Sequence, residues 1–293
     1  MMLSLREAVR QATRILADAG IESAESDAVA LAAHALKTGT GAVRRLMVLG
    51  APAPEGFDDL VAERARRVPL QHLTGKAGFR RLELSVGPGV FIPRFETELV
   101  AGLAIAHLID HCLGEAVLSQ GPGPVVVDLC TGSGAIALSI KEEVPAAEVH
   151  GVELSELAHA WAIRNRDELG LDVDIRLGDA TLAFPELAAR VDVVVSNPPY
   201  IPLSAVPNDP EVRDHDPEVA LYGGSADGLR IPLEVAARAA VLLSPGGFLV
   251  MEHADVQGES LLASLLVTGC WRDIHDHDDL NGRPRAVTAL RAS

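Results

Sequence analysis

The chain is poor in cysteine, in basic charge and in long apolar runs, and each shortage excludes a class of protein. Its three cysteines, Cys112, Cys130 and Cys270, are spread over 293 residues. They are odd in number, widely spaced and without a CxxC pair, so a disulfide framework and a cysteine-rich zinc site are excluded and the thiols read as reduced. The 25 Lys and Arg residues stand against 41 Asp and Glu, a formal net charge of −16, with a pI near 5.0. Non-specific nucleic-acid binding rests on Lys and Arg neutralising phosphates, so this balance argues against a surface that tracks nucleic acid. No run approaches the ~18 apolar residues of a membrane-spanning helix, and the N-terminus lacks a signal-peptide core. A cytoplasmic protein with no membrane partner is expected. The 10 histidines form no HExxH pattern, and His275-Asp276-His277-Asp278-Asp279 reads as a solvated strand end, so no metal is expected.

What is present is a globular composition, 48% apolar and 23% charged, long enough for one large or two ordinary domains. Ser4 and Glu7 make a capping box ahead of the stripe Leu5, Ala8, Val9, Ala12, Ile15, Leu16 and Ala19, and Gly20 supplies the stop. Further helices are expected over about 24–36, 43–49 and 57–67, with Gly/Pro punctuation at 50–54. Residues 1–70 thus form a small helical domain whose Ala/Leu stripes face its own core. From Gln71 the pattern changes. Phe79-Arg80-Arg81-Leu82-Glu83-Leu84-Ser85-Val86 alternates like a half-buried strand before Gly87-Pro88-Gly89, so residues 71–89 are read as a β-hairpin connector. Helical periodicity returns over 98–108, and Gln120-Gly121-Pro122-Gly123-Pro124 breaks it.

Strands and helices then alternate, the pattern of a mostly parallel sheet with helices on both faces. Strands are expected over 125–129, 147–153, 173–177, 191–196 and 247–252, and helices over about 134–143, 156–168, 228–243 and 256–267. Residues 271–277 and 286–290 form two final strands around Asn281-Gly282, a hairpin signal that makes the last strand antiparallel to its neighbour.

Chemistry concentrates at the carboxyl ends of these strands. Val191-Asp192-Val193-Val194-Val195-Ser196 leads into Asn197-Pro198-Pro199-Tyr200. An Asn carbonyl oxygen and the backbone carbonyl after it can accept both hydrogens of a planar NH2 group, while Tyr200 offers a π face. The prolines fix their own φ and hold the preceding residues extended, so these carbonyls are aimed without further ordering cost. That suits an enzyme alkylating an amide or amino nitrogen. Upstream, Val125-Val126-Val127-Asp128-Leu129 runs into Cys130-Thr131-Gly132-Ser133-Gly134, a glycine turn opening a helix. Its GxG spacing fits a small carboxylate-bearing cofactor better than a dinucleotide. Glu153 ends the next strand about 20 residues on, the position of a ribose-binding acid. Asp179, beside Ala180, ends the third strand and can receive the exocyclic amine of an adenine.

The chain resembles the class I methyltransferases that use S-adenosylmethionine, and more closely the peptide chain release factor glutamine methyltransferases, the HemK/PrmC family. The resemblance spans most of the sequence. It is carried by Pro69-Leu70-Gln71-His72-Leu73-Thr74-Gly75, by Ile92-Pro93-Arg94-Phe95-Glu96-Thr97-Glu98, by the glycine turn, by Asn197 to Tyr200, and by the segment from Glu211-Val212 through Asp216-Pro217 to Asp227-Gly228-Leu229. It implies a seven-stranded Rossmann-like sheet over 90–293, mostly parallel with the last strand antiparallel, joined to the helical domain that recognises a release factor. It implies transfer of the methyl group of S-adenosyl-L-methionine to the side-chain N5 of the glutamine in the Gly-Gly-Gln loop, with S-adenosyl-L-homocysteine as product. By motif, Cys130, Thr131, Gly132, Ser133 and Gly134 line the methionine part of the cofactor, Glu153 holds the ribose, and Asp179 with Ala180 borders the adenine. Asn197, Pro198, Pro199 and Tyr200 hold the substrate amide, with Asn197, Pro198 and Tyr200 as the catalytic residues and Asn197 also bordering the cofactor. The chain departs from the family at Phe95, usually Pro, at Glu153, often Asp, and at Ala180, often aromatic. Arg94 and Glu98 are expected to pair across a helical turn, and Glu252 either borders the site or accepts a backbone bond. Two other readings share these residues: a methyltransferase acting on an exocyclic amine of adenine or guanine in nucleic acid, and a non-catalytic binding module.

Overall fold

A computed structural model of the chain describes residues 3–112 and 122–293. The chain divides into two compact units, one of Met1–Lys76, Val86–Pro88 and Pro207–His215, the other of Ala77–Ser85, Gly89–Val206 and Asp216–Ser293.

In the first unit, α1 (Leu5–Asp18) starts on the capping box: the Glu7 amide donates to the Ser4 hydroxyl at 3.3 Å, and the Ser4 amide donates to the Glu7 carboxylate at 3.0 Å. Leu5, Ala8, Val9, Ala12 and Leu16 are buried, whereas Ile15 is exposed. α2 (Ala24–Ala35), α3 (Thr40–Val48) and α4 (Phe57–Ala65) follow, and Val29, Val43, Phe57 and Val61 join α1 in one apolar cluster. A short helix, α5 (Leu70–Thr74), begins after Pro69 and stops at Gly75 in the left-handed conformation, inside the stretch expected to be connector.

This unit also holds a segment from far along the chain. Glu211, on the short helix Pro210–His215, is buried and accepts from Arg64 Nη1 at 2.7 Å and from Arg67 Nη2. Arg64 in turn donates through Nε to Asp27 at 2.7 Å. Buried charges persist when each has partners of opposite sign, and this network supplies them.

The second unit opens with the hairpin of β1 (Lys76–Phe79) and β2 (Leu82–Ser85). The strand expected over 79–86 is therefore split at Arg80, whose φ is 51°. The reason is side-chain anchoring: Arg80 donates through Nε and Nη2 to Glu143 at 2.6 and 3.1 Å, and its backbone N–H donates to Glu98 Oε1 at 3.0 Å. These bonds outweigh the local preference for extended backbone, which costs about 1–2 kcal/mol to reverse. Next comes α6 (Thr97–His107), and the chain continues in a π-helical turn, Leu108–Cys112. Gln120 and Gly121, expected to break this helix, lie outside the described residues.

The seven-stranded sheet contains β3 (Val125–Leu129), β4 (Glu148–Glu153), β5 (Val173–Leu177), β6 (Val191–Ser196), β7 (Leu243–Glu252), β8 (Trp271–Asp278) and β9 (Pro284–Arg291), in the order β5-β4-β3-β6-β7-β9-β8. The last strand in sequence inserts between β7 and β8 and runs antiparallel to both. β7 starts earlier than expected, since Leu243 pairs with Val191 before an irregularity restores register at Val193 and Phe248. Helices α7 (Ala135–Glu143), α8 (Glu156–Leu169), α9 (Arg230–Leu242) and α10 (Gly258–Val267) complete the layers. One apolar cluster joins Val126, Val193 and Val250 to α6 and α7, and the other joins Val127, Val194 and Leu249 to α9 and α10. Strands buried on both faces explain the continuous Val and Leu runs. Among the described residues no helix is long and apolar enough to cross a membrane.

Candidate active site

β3 lies between β4 and β6, with Leu129 opposite Val152 on one side and Ser196 on the other. The loops leaving these strands therefore emerge side by side. Beyond β4, Leu177 of β5 stands opposite Glu153, and beyond β6, Met251 of β7 stands opposite Ser196. One edge of the second unit thus carries the glycine turn, Glu153, Asp179, Asn197 to Tyr200 and Glu252. In an open parallel sheet this edge is the ligand-binding one.

The glycine turn is held from below by a buried acid. Asp128 Oδ2 accepts from the Thr131 hydroxyl at 2.6 Å and from the Ala137 N–H in the first turn of α7 at 3.2 Å. Burial pushes the Asp128 carboxyl up to about 7. Cys130, Gly132 and Gly134 have φ of 72°, 57° and 86°. A Cβ on Gly134 would stand 2.8 Å from Leu138 Cδ1, whereas one on Gly132 would meet nothing within 4 Å. Gly134 is thus required for the turn to close on its helix, and Gly132 keeps an open face. Ser133 is buried, and its carbonyl accepts from Asn165 Nδ2 at 2.9 Å, the same group that donates to the Ser85 carbonyl at 3.0 Å. Burial pushes the Cys130 thiol up, leaving it a neutral wall.

Glu153 faces this turn directly. Its Oε2 accepts from the Gly132 N–H and its Oε1 from the Ser155 N–H, each at 2.8 Å. Burial raises its pKa while these bonds oppose the rise. Each carboxylate oxygen keeps a second lone pair, so the side chain can also take hydroxyl donors. Asp179 is exposed, and its Oδ1 accepts from the Thr181 N–H and hydroxyl, both at 2.8 Å. Ala180 is half-buried against the apolar cluster under the sheet.

On the other side stands the segment Asn197 to Tyr200, expected from the sequence to clamp an NH2 group. Asn197 is half-buried and donates through Nδ2 to the Thr97 hydroxyl at 3.2 Å, which leaves Oδ1 as its acceptor. Pro198 is buried and Pro199 half-buried. Tyr200 donates its hydroxyl to Glu252 Oε1 at 3.1 Å, and its backbone carbonyl accepts from Gln257 Nε2 at 2.8 Å. Burial, with the nearby Glu252 carboxylate, raises the Tyr200 phenol, which therefore stays a neutral donor. Glu252 is itself buried and pushed up to about 7, with Thr97, Arg285 and Tyr200 facing it and countering that rise.

The expected Arg94–Glu98 pair does not form. Arg94 donates instead to Asp216 at 2.6 Å and lies over the Phe91 ring at 5.0 Å, while Glu98 receives the Arg80 amide. Nor is 275–279 simply solvated: Asp276 bonds to the buried His253 at 3.0 Å and His277 to Thr288 at 2.8 Å. Thr97, Asn165 and Gln257 carry positioning bonds that the sequence did not single out. Asp128 left a signal, an acid inside a run of valines, whereas a lone Gln257 leaves none. Among the described residues no group of three or more His, Cys, Asp or Glu side chains is placed to hold a metal ion.

Two family models match the sequence, the PrmC N-terminal domain over residues 7–75 and the methyltransferase small domain over residues 112–207. A relative from Streptomyces coelicolor named release factor glutamine methyltransferase is 50% identical, with 100% of this chain and 99% of the relative covered. A relative of the same name from Mycolicibacterium smegmatis is 44% identical, with 99% of each covered. A third, from Streptomyces pristinaespiralis, is named 4-amino-L-phenylalanine/4-methylamino-L-phenylalanine methyltransferase and is 41% identical, with 98% of this chain and 95% of the relative covered.

Proposed function

The chain belongs to the release factor glutamine methyltransferase family, and from that premise we propose that it transfers a methyl group from S-adenosyl-L-methionine to the side-chain N5 of the glutamine in the Gly-Gly-Gln motif of peptide chain release factors. The observation that carries this reading is the strand register that sets Asn197 beside the glycine turn, with Leu129 opposite both Val152 and Ser196. An NH2 acceptor pair and a cofactor cradle then share one rim.

The residues of that rim fit the cofactor. The open face at Gly132, the Cys130 to Gly134 backbone and the spare lone pairs of Glu153 suit a methionine moiety and a ribose, and Asp179 beside Ala180 borders the adenine. When bound, S-adenosyl-L-methionine supplies an electrophilic methyl group on sulfur and leaves as S-adenosyl-L-homocysteine. The chain's own task is to present a poor nucleophile, because the lone pair of an amide nitrogen is delocalised into its carbonyl. Asn197 Oδ1 and the Pro198 carbonyl oxygen accept the two NH2 hydrogens, and Pro199 and Tyr200 hold the group in plane. As the nitrogen forms its bond to the methyl carbon, the carbon–sulfur bond breaks with its electron pair going to sulfur, the nitrogen becomes positive, these acceptors stabilise that charge, and one N–H proton then passes to solvent water. No metal takes part in this scheme.

The helical residues 1–70 serve to recognise the release factor, 71–89 connect, and 90–293 carry the transfer. The protein acts in the cytoplasm, without membrane or nucleic acid as partner. A second acceptor class is a free aromatic amine, since the Streptomyces pristinaespiralis relative is named for one and an anilino NH2 meets the same acceptors. Incubation with purified release factor, 4-amino-L-phenylalanine and an adenine-containing oligonucleotide in separate reactions, followed by mass mapping, decides among them. A gain of one methyl group at the Gly-Gly-Gln glutamine is expected, and Asn197→Ala should slow it on the order of 100-fold. No gain on the release factor, or an unimpaired Asn197→Ala enzyme, would overturn the assignment.

A further inference from the structure

A side-chain amide reads oppositely from its two ends. The oxygen accepts and the NH2 donates, yet the two orientations have nearly the same shape. Asn197 can clamp an NH2 group only if Oδ1 faces it. Something must therefore choose between orientations related by a half-turn.

The Thr97 hydroxyl stands at the other end of that amide, 3.2 Å from Nδ2. Thr97 is the first residue of α6, only 4% exposed. Its hydroxyl has one proton to give, and the buried Glu252 carboxylate faces it. An ionised carboxylate only accepts, so a Thr97 hydroxyl that turns its proton toward Glu252 leaves its oxygen to accept. The NH2 of Asn197 satisfies that oxygen, which turns Oδ1 the other way. The same carboxylate receives the Tyr200 hydroxyl at 3.1 Å. One buried acid thus constrains both ends of the Asn197 to Tyr200 clamp.

We propose that Thr97, polarised by Glu252, is a positioning and specificity-determining residue that fixes the Asn197 amide with its oxygen toward the substrate. The clamp then accepts an NH2-bearing side chain and rejects the carboxylate of a glutamate in the same place, whose oxygens would meet only acceptors. This rests on the reading of Asn197 as the amide clamp. The polarity has a built-in condition. A protonated Glu252 can donate to Thr97, whose proton is then free to turn toward Asn197 and favour the reversed amide. The groups facing Glu252 are Glu96 and Thr97 at the start of α6, Tyr200 after β6 and Arg285 on β9, with buried His253 next along its own chain and bonded to Asp276. Burial holds its carboxyl at about 7, so the acid limb of turnover falls in the accessible range.

The test compares the wild-type enzyme with Thr97→Ser and Thr97→Val, using purified release factor. Thr97→Val should lower kcat about tenfold, the scale of one mis-set hydrogen bond of about 1.4 kcal/mol, while calorimetric affinity for S-adenosyl-L-homocysteine stays unchanged. Its acid limb near pH 7 should also be lost. Thr97→Ser keeps the hydroxyl and should restore both rate and pH profile. Equal damage from Ser and Val, or a wild-type rate and profile in Thr97→Val, would overturn the inference. A second readout needs no substrate: the Asn197 NH2 signals in a 15N spectrum, assigned by their loss in Asn197→Asp, should show slowed proton exchange in wild type and Thr97→Ser but not in Thr97→Val. A wild-type enzyme inactive on release factors would count against the proposed function, and the NH2 signals would still decide the role of Thr97.

Discussion

The side-chain Nε2 of Gln257 donates to the backbone carbonyl of Tyr200 at 2.8 Å, and its other hydrogen goes to the carbonyl of Asp227 at 2.7 Å. Gln257 Oε1 accepts from the Ala254 N–H at 3.0 Å, so one buried side chain ties together three loops at the strand edge. Gln257→Glu puts an oxygen where two carbonyls need a donor, and Gln257→Leu leaves them unpaired. An unsatisfied buried polar group costs about 1–3 kcal/mol. Urea denaturation should show a loss of about 2–4 kcal/mol in either variant. Turnover should fall more than cofactor affinity, because the distortion lies at Tyr200 and not at the glycine turn. Wild-type kcat in Gln257→Leu would contradict this.

The charge network of Asp27, Arg64, Arg67 and Glu211 makes the segment 207–215 part of the helical unit. Burial alone would raise the Glu211 carboxyl, yet the bonds it makes with Asp209, Arg67 and Arg64 hold it well below the usual range. Removing one partner of a buried pair costs about 3–5 kcal/mol because the remaining charge is left uncompensated. Glu211→Ala should therefore expose 207–215 to limited proteolysis at concentrations that leave the wild type intact. The sign of the pH effect follows from the depressed value: the contribution of Glu211 is present above its unfolded pKa and is lost as pH falls through the folded one. The variant should lose less stability than the wild type on strong acidification.

What could be read from the sequence was what repeats or lies close by. Strands 125–129, 173–177 and 191–196 fall where they were expected, because Val-rich apolar runs at 125–129 and 191–196 and apolar–polar alternation at 173–177 leave little choice. The Ser4–Glu7 capping box is equally local. The turn at Arg80 was hidden, since its cause is Glu143, 63 residues away. Thr97 and Asn197 are 100 residues apart and Arg64 and Glu211 147 apart. No periodicity links such pairs, because folding alone brings them together. Motif likeness supplied Asn197 and the glycine turn, but not the side chains that aim them.

Asp128 and Glu252 give the fold a pH dependence of opposite sign to that of Glu211. Burial lifts each to about 7, from ordinary values of 3.8 and 4.5. The folded chain then holds protons that the unfolded chain has released, so stability from these groups is full below the unfolded values and is lost as pH rises toward 7. The melting temperature should consequently fall between pH 4.5 and 7 more steeply in the wild type than in Asp128→Asn. Asp128→Asn retains an oxygen for the Thr131 hydroxyl and the Ala137 N–H while removing the titration. Parallel melting curves for the two proteins across that window would refute the buried-acid account.

Glu153 separates binding from chemistry. Its two oxygens accept from the Gly132 and Ser155 amides at 2.8 Å each, and in the proposed function its remaining lone pairs take the ribose hydroxyls. Glu153→Gln keeps the shape but turns an NH2 toward one of those backbone donors, and it removes the charge that strengthens every bond to the carboxylate. A charge-assisted hydrogen bond is worth about 1.5–3 kcal/mol, so affinity for S-adenosyl-L-homocysteine should weaken on the order of 10- to 100-fold in calorimetry. At saturating cofactor, kcat should stay within about threefold of wild type, since uniform binding lost from a group remote from the reacting nitrogen raises KM without lowering kcat. Glu153→Asp keeps the charge on a shorter arm and should fall between the two. A variant that bound cofactor normally but turned over slowly would instead move Glu153 from the ribose to the reacting centre.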